Sequence, residues 1–412
     1  MKPKRLSLGV LSLLLALALL LPLASCGPRS AETPTETAAV TTAATTEAPQ
    51  KYTIRPRELG ESVSIHTDPQ AAYLAASDPH SILTYANATA EASRPEPIKL
   101  SWSIPASAAG HIASFAVRIW TKSDRSDVKT ATVAGDVKEY SFYNAMVGTT
   151  YYWNVSALDD EGDTSTSKTA TFTTETQAPR NLSVDGVTNV RDLGGWATED
   201  GGRIRQGLLY RGARFSANFD ATDITITEAG IRTLRDEIGI KTEIDLRQTT
   251  AVNNRNESGG LTASPLGDSV RYCAFPMEYG DVLFSDPKNI QRIREIFAFL
   301  SDESNYPIYF HCSIGTDRTG LIAWLVNGLC GVSENDLWRD YLFSDFGLIE
   351  SNPANARTRA KNENIYVNQL KNYAQGDTLA EKIYNYLKNE IGVAETDLQA
   401  VIRIMKEPPV SE

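Results

Sequence analysis

The stretch from Ile308 to Leu329 constrains this chain more than any other. A short β-run, Ile308-Tyr309-Phe310-His311, passes straight into a polar loop. The loop leads into a helix that is apolar on nearly every side through Leu321, Ile322, Trp324, Leu325, Val326 and Leu329. Helices and strands alternate around this unit after the hinge Gln177-Ala178-Pro179. Thr225 and Glu228 have capping-box spacing, Ile231, Leu234 and Ile238 share a helical face, and Gly239 stops that helix before a strand over 240–246. A further helix is expected over 288–300, ended by Asn305-Tyr306-Pro307, and several amphipathic helices over 333–405. The alternation predicts an α/β domain over 177–412, a central and mostly parallel sheet with flanking helices.

The loop itself reads His311-Cys312-Ser313-Ile314-Gly315-Thr316-Asp317-Arg318-Thr319-Gly320. Backbone N–H groups of such a loop, with the N-terminus of the following helix, converge on a point that favours an anion without a metal. The same field favours a thiolate, so Cys312 is expected to be ionised and nucleophilic at neutral pH. Arg318, six residues on, can hold two oxygens of a phosphate bidentately. Cys-x5-Arg alone arises readily by chance; His311, Gly315, Thr319 and Gly320 at fixed offsets make an accident remote. The assignment requires a sulfur that is unpaired and reachable.

At 412 residues the chain exceeds what one hydrophobic core usually serves. Residues 61–176 supply a second unit of different character, with short runs of period two separated by turn formers, which reads as all-β. The strand candidates are Leu100–Ser103, Phe115–Trp120 and Thr150–Ala157, the last placing Tyr151, Trp153 and Val155 on one face after the turn Gly148-Thr149. This segment resembles a fibronectin type III domain, whose late strand commonly reads Gly-Thr-x-Tyr-x-Val-x-Val; Trp153 stands here for the first Val. Its aromatics are expected in the core of a β-sandwich rather than on a carbohydrate platform.

The N-terminus carries Lys2, Lys4 and Arg5 before an apolar run from Leu6 to Leu23. That is an export signal. Its ending, Leu23-Ala24-Ser25-Cys26, resembles a bacterial lipoprotein lipobox, which implies a signal peptide over 1–25 and a diacylglyceryl anchor on Cys26. An uncleaved membrane anchor is the competing reading, and the run is short for it. In both cases the rest of the chain sits outside the cytoplasm. Residues 26–60 follow as anchor and linker, with seven Thr and six Ala between Ala31 and Gln50, a composition that buries no core. The formal charge of −11 disfavours nucleic acid and anionic lipid as partners, since both are bound mainly through Lys and Arg. With Cys26 lipidated, Cys273, Cys312 and Cys330 remain, an odd number that leaves a free thiol; a Cys273–Cys330 disulfide stays open.

His-Cys-x5-Arg-Thr is similar to the phosphate-binding signature of protein tyrosine phosphatases. The wider segment resembles a bacterial tyrosine and serine phosphatase family whose secreted members carry His-Cys-x-x-Gly-Lys-Asp-Arg-Thr-Gly. Two further blocks match in the family's order: Asn189-Val190-Arg191-Asp192-Leu193-Gly194-Gly195 followed by Leu209-Tyr210-Arg211-Gly212, and Ile244-Asp245-Leu246-Arg247. The resemblance implies a cysteine-dependent phosphatase that needs no cofactor and no metal, with a phosphorylated protein or small phosphomonoester as partner. Carried over, Cys312 attacks phosphorus and forms a phosphocysteine, Arg318 orients and neutralises the transferring group, and Thr319 hydrogen-bonds the departing sulfur. His311 orders the loop, and Ser313, Ile314, Gly315, Thr316, Asp317 and Arg318 bind the phosphate. The leaving oxygen needs an acid. The resemblance points to Asp317, and Asp245, at a strand end facing the same side, is the rival. Thr316 stands where the family carries Lys, which lowers the expectation of phosphoinositide turnover. The block from Asn189 to Gly195 shapes the pocket wall, or its Gly194-Gly195 only makes a turn. Two other functions remain in view, an inositol-phosphate or phosphoinositide phosphatase and a cell-surface binding protein with an inactive phosphatase domain. Rhodanese or arsenate reductase chemistry also uses a loop cysteine, but leaves the blocks around Asp192 and Asp245 unexplained.

Overall fold

The computed structural model describes residues 50–216, 225–248, 258, 261–278, 284–349, 353 and 365–408. The export segment, Cys26 and the linker up to residue 49 lie outside the described residues, none of whose helices is long and apolar enough to cross a membrane.

Alternating apolar residues in the first half fold into two antiparallel sheets. β1 (Arg55–Pro56), β2 (Ile98–Ser103) and β5 (Glu139–Phe142) lie in the order β1-β2-β5. β3 (Ile112–Trp120), β4 (Lys129–Ala134), β6 (Thr150–Asp159) and β7 (Thr164–Thr166) lie in the order β4-β3-β6-β7, with β8 (Ala170–Thr173) against β6. Tyr151, Trp153 and Val155 of β6 bury together with Trp102, Phe115 and Phe172. Trp102 meets Phe115 edge-on at 5.1 Å and Tyr151 stacks on Phe172 at 5.2 Å, so these aromatics are core.

The sandwich starts before residue 61, because Ile54 is buried in its core and β1 pairs with β2. Nor is 61–97 all-β. It holds α1 (Asp68–Leu74) and a 3₁₀ turn over Pro79–Thr84, whose Tyr73, Leu74 and Ile82 join the hydrophobic core of the second half. Tyr73 packs 6.2 Å from Phe343 and 5.9 Å from Phe346. Gln70, fully buried, donates to the carbonyls of Ala92 (2.6 Å) and Arg94 (2.9 Å). The chain from α1 to Arg94 is therefore a strap lying on the second half. Two helical turns are too few for a 3.6-residue period to show, which hid it from pattern reading.

Glu175 fastens the start of this strap. Its Oε1 accepts from Ile65 N (2.6 Å), Ser64 Oγ (2.7 Å) and His66 Nδ1 (2.9 Å). Burial works against the charge, but His66 and these donors hold the carboxyl down at about 2. A depressed carboxylate contributes stability above its unfolded value, about 4.3, and loses it as pH falls toward the folded value. Glu175→Gln is expected to cost about 1–3 kcal/mol at pH 7, and its gap in thermal midpoint from the native chain should close between pH 5 and 2. A gap unchanged at pH 2.5 would contradict this.

The second half carries one five-stranded sheet in the order β13-β12-β14-β11-β9, formed by β9 (Arg191–Asp192), β11 (Leu209–Gly212), β12 (Thr242–Asp245), β13 (Arg271–Ala274) and β14 (Ile308–His311). All pairs are parallel except β9 with β11. β10 (Arg203–Ile204) pairs separately with β15 (Lys406–Glu407). Period two sorts the side chains. Leu209, Ile244, Ile308 and Phe310 enter the larger helical core, while Tyr210 and Tyr309 enter a smaller one with Leu234 and Ile240.

Helix α2 (Glu228–Ile231) is capped by Thr227, whose side chain accepts from Gly230 N at 3.2 Å, rather than by Thr225. It continues as wider turns to Ile238, and Gly239 at φ +82° ends it in a left-handed conformation, as its sequence position predicted. The remaining helices are α3 (Pro287–Leu300), α4 (Asp317–Leu329), α5 (Glu334–Leu342), α6 (Ile365–Lys371), α7 (Leu379–Tyr386) and α8 (Glu395–Met405). α4 is buried from Arg318 to Leu329, as a helix without a polar face requires. Cys273, Cys312 and Cys330 are free thiols, so no Cys273–Cys330 disulfide forms. Cys330 caps the far end of α4, where burial pushes its thiol up to about 12 and leaves it unreactive.

Candidate active site

The loop after β14 is held from behind by its carbonyl oxygens. Cys312 O faces His311 Nδ1 at 2.9 Å. Ser313 O accepts from Arg214 N (3.2 Å) and Arg214 Nη1 (3.1 Å), and Ile314 O accepts from Asn189 Nδ2 (3.0 Å). Arg211 Nη2 serves both Gly315 O (2.8 Å) and Thr316 O (3.3 Å). In a trans peptide the C=O and the following N–H point opposite ways. Fixing these consecutive carbonyls outward therefore turns the N–H groups from Ser313 to Asp317 toward the hollow of the loop, where α4 begins. The result is a concavity built for an anion. Gly315 makes the close approach possible: at φ +75° it would place a Cβ 2.3 Å from Gly212 O.

Behind the loop, buried charges are matched. Asp340 of α5 takes Arg191 Nε (2.9 Å) through one carboxylate oxygen and Arg211 Nη1 (2.5 Å) through the other. Burial, and then the neighbouring Arg211, pull Arg191 down to about 10. Asp340 stays below the usual carboxylate range: burial opposes its charge, but the two guanidinium groups outweigh it. The strap joins this frame. Ser93 Oγ accepts from Asn189 N at 3.0 Å, and buried Ala88 packs with Ile349 against Ile314 of the loop.

His311 and Asp245 sit side by side at the ends of adjacent strands, both fully buried. Asp245 is chelated by Arg247 through its N (2.9 Å), Nε (3.0 Å) and Nη2 (2.8 Å), and Tyr272 donates to it at 2.9 Å. Burial opposes its ionisation, yet His311 and Arg247 hold its carboxyl below the usual range, which is wrong for a proton donor. Glu243, Asp245 and His311 bring ligand atoms within 4.8 Å of one another. The donors are already committed, however. His311 Nε2 lies 2.9 Å from Glu243 and Nδ1 lies 2.9 Å from the Cys312 carbonyl, so a metal on this ring would have to displace a partner that it already has.

Asp317 opens α4 half-buried, and Tyr341 OH donates to it at 2.8 Å. Arg318 is buried in the next position, with Nη1 at 3.4 Å from the carbonyls of Leu246 and Met277, just past the ends of β12 and β13. Thr316 and Thr319 are buried, and their hydroxyls have no hydrogen-bond partner among the described residues. Cys312 is unpaired but buried, with 3 % of its surface exposed and its side chain in the larger hydrophobic core, so the reachable thiol that the sequence reading required is not what the structure shows.

A sequence profile described as the tyrosine phosphatase family matches residues 182–407, more than half of the chain. The chain belongs to this family. A fibronectin type III profile matches residues 84–173, which contain β2 to β8. A Cupriavidus necator protein named as a tyrosine-protein phosphatase is 29 % identical over 204 residues, 44 % of this chain, and the chain spans 66 % of that relative's length. Among solved structures, the core catalytic domain of the PP-IP phosphatase SIW14 from S. cerevisiae, in complex with citrate, is similar at 12 % identity and a TM-score of 0.25. That match covers 42 % of this chain and 91 % of the other. A myokine structure is similar at 18 % identity and a TM-score of 0.17, covering 19 % of this chain and 83 % of the other.

In this tyrosine phosphatase family member, sequence reading assigned no individual role to Arg211, Arg214, Asp340 or Glu243, and it read Asn189 only as part of a block that shapes the pocket wall. The signal available was charge where none is expected. Arg211 lies in the buried strand Leu209-Tyr210-Arg211-Gly212, and Glu243 lies in Thr242-Glu243-Ile244. Such residues are retained inside a protein only when paired.

Proposed function

We propose that the chain is an extracytoplasmic phosphatase, lipid-anchored through Cys26, that hydrolyses phosphotyrosine or related phosphomonoesters through a phosphocysteine intermediate. The observation that carries this reading is the row of loop carbonyls from Cys312 to Thr316 drawn outward around one unpaired cysteine. In the first step the Cys312 thiolate attacks phosphorus, the bond from phosphorus to the leaving oxygen breaks, and Asp317 gives that oxygen its proton. In the second, water attacks phosphorus, Asp317 takes the water's proton, and the S–P bond breaks to release phosphate and thiolate. Arg318 and the loop N–H groups balance the charge that builds on the equatorial oxygens. Asp317 suits the acid role better than Asp245, whose oxygens are already held by Arg247 and Tyr272. The export signal and lipobox support the location. Thr316 in place of a lysine, and Ile314 packed with Ala88 and Ile349, make this flank of the loop apolar among the described residues, which suits an aryl ester better than a polyanionic inositol phosphate.

The test compares leaving groups in EDTA. Asp317→Asn is expected to lower kcat about 10²–10³-fold on phosphotyrosine, whose phenol titrates at about 10 and needs a proton to leave. On a nitrophenyl phosphate the loss should be far smaller. Equal losses on both esters would remove Asp317 from the acid role, and faster turnover of an inositol phosphate than of a phosphotyrosine peptide would replace the substrate class.

A further inference from the structure

We propose that Glu243 is a positioning residue for this reaction: its carboxylate keeps His311 doubly protonated, and that imidazolium both anchors the Cys312 carbonyl and sets a fixed positive charge behind the nucleophile. The inference rests on the phosphocysteine reading.

The argument is a proton count. Cys312 O offers only lone pairs, so His311 Nδ1, 2.9 Å away, must carry a hydrogen. In a neutral ring Nε2 would then present a lone pair to Glu243 Oε1 at 2.9 Å, and two lone pairs would oppose each other. One proton must lie between them. Imidazole is the stronger base of the two by about two pH units in water, so the proton belongs to the ring and the charge to the carboxylate. Both residues are fully buried, and the second oxygen of Glu243 has no hydrogen-bond partner among the described residues. Deprotonating His311 would therefore strand a buried carboxylate, which locks the ring in its charged form.

Register explains how the pair meets. β12 and β14 run parallel with Asp245 opposite His311, so Glu243, two residues before Asp245, shares its face beside the ring. A central parallel strand is normally apolar throughout, and a glutamate there is not a packing choice. Apart from Cys312, whose ionisation is the readout below, the other groups facing the pair keep their charge between pH 5 and 8. Asp245, 4.0 Å from Nδ1, is neutralised by Arg247 at 2.8 Å and held low; Tyr272, Tyr309 and Cys273 are pushed up by burial. Phe215, 5.4 Å from the imidazole ring, is apolar.

Glu243→Gln is near-isosteric, and its amide can donate to Nε2. The ring can then turn neutral while keeping Nδ1–H on Cys312 O, so that both hydrogen bonds survive and only the charge is lost. The readout is alkylation of Cys312 by iodoacetamide across pH, followed on the Cys312 peptide of the full chain, which needs no phosphatase turnover. The midpoint is expected to rise by about one pH unit, slowing alkylation up to about tenfold at pH values below both midpoints, and the acid limb of kcat/KM should move with it. An unchanged alkylation profile overturns the proposal. A second measurement needs no variant: with four histidines in the chain, ¹⁵N spectra should show the His311 ring as imidazolium from pH 5 to 8. A neutral tautomer at pH 7 overturns the proposal equally. If the alkylation shift appears in a protein that turns over no phosphomonoester, the Glu243 assignment stands and the phosphocysteine reading fails. Full turnover with an unmoved profile gives the reverse.

Discussion

On the proposed phosphocysteine mechanism, Cys312→Ser is expected to abolish hydrolysis of a nitrophenyl phosphate in EDTA, with kcat falling about 10⁴-fold or more, because the covalent intermediate is assigned to this sulfur. A serine hydroxyl in the same anion-binding hollow remains almost wholly protonated, so replacing one chalcogen by the other removes the proposed nucleophile while leaving the concavity intact. Binding should survive, so the variant is expected to retain a phosphotyrosine peptide that it does not turn over. Equilibrium dialysis of the labelled peptide separates this from unfolding. Full activity in the serine variant would sink the catalytic assignment, and Cys330, buried at the far end of α4, offers no substitute.

The second large effect is structural. Asp340 is the shared counter-ion of Arg191 and Arg211, which between them reach Asn189 and the carbonyls of Gly315 and Thr316. Removing one partner of a buried ion pair leaves an uncompensated charge and costs about 3–5 kcal/mol. Asp340→Ala is thus expected to lower the thermal midpoint by roughly 5–10 °C in a chain of this size. The loop should slacken before the molecule unfolds, so kcat is expected to fall steeply at temperatures where far-ultraviolet dichroism is still native. A variant with an unchanged midpoint would show that the arginines find other partners. Asp340→Asn, which keeps the shape and loses the charge, should fall between the two.

The parts of this molecule that its sequence reveals are those determined locally. The strand Ile308–His311 and the helix after it were legible because a β-run, a loop signature and a helix apolar all round are each set by neighbours within a few residues. The same holds for Gly239 as a helix stop, and for the buried face of Tyr151, Trp153 and Val155. What stayed hidden depends on partners far along the chain. Arg191 and Arg211 acquire meaning only when Asp340 arrives from α5. Helix α1 is two turns long and gains its stability from Phe343 and Phe346, so its own periodicity could not announce it. The choice between Asp317 and Asp245 was likewise beyond spacing, since both stand at element ends. The grip of Arg247 and Tyr272 on Asp245 is what favours Asp317 for the acid in the mechanism proposed above.

The strap alters what can be inherited or engineered separately. Fibronectin-type modules ordinarily behave as beads that recombination can shuffle between hosts. In this chain Ser93 tethers Asn189, Asn189 tethers Ile314, and Tyr73 occupies a socket between Phe343 and Phe346. Exchanging the sandwich for another would take away part of the wall against which the phosphate loop is moulded. The two halves are accordingly bound to travel together, as a single cartridge rather than a string of interchangeable parts.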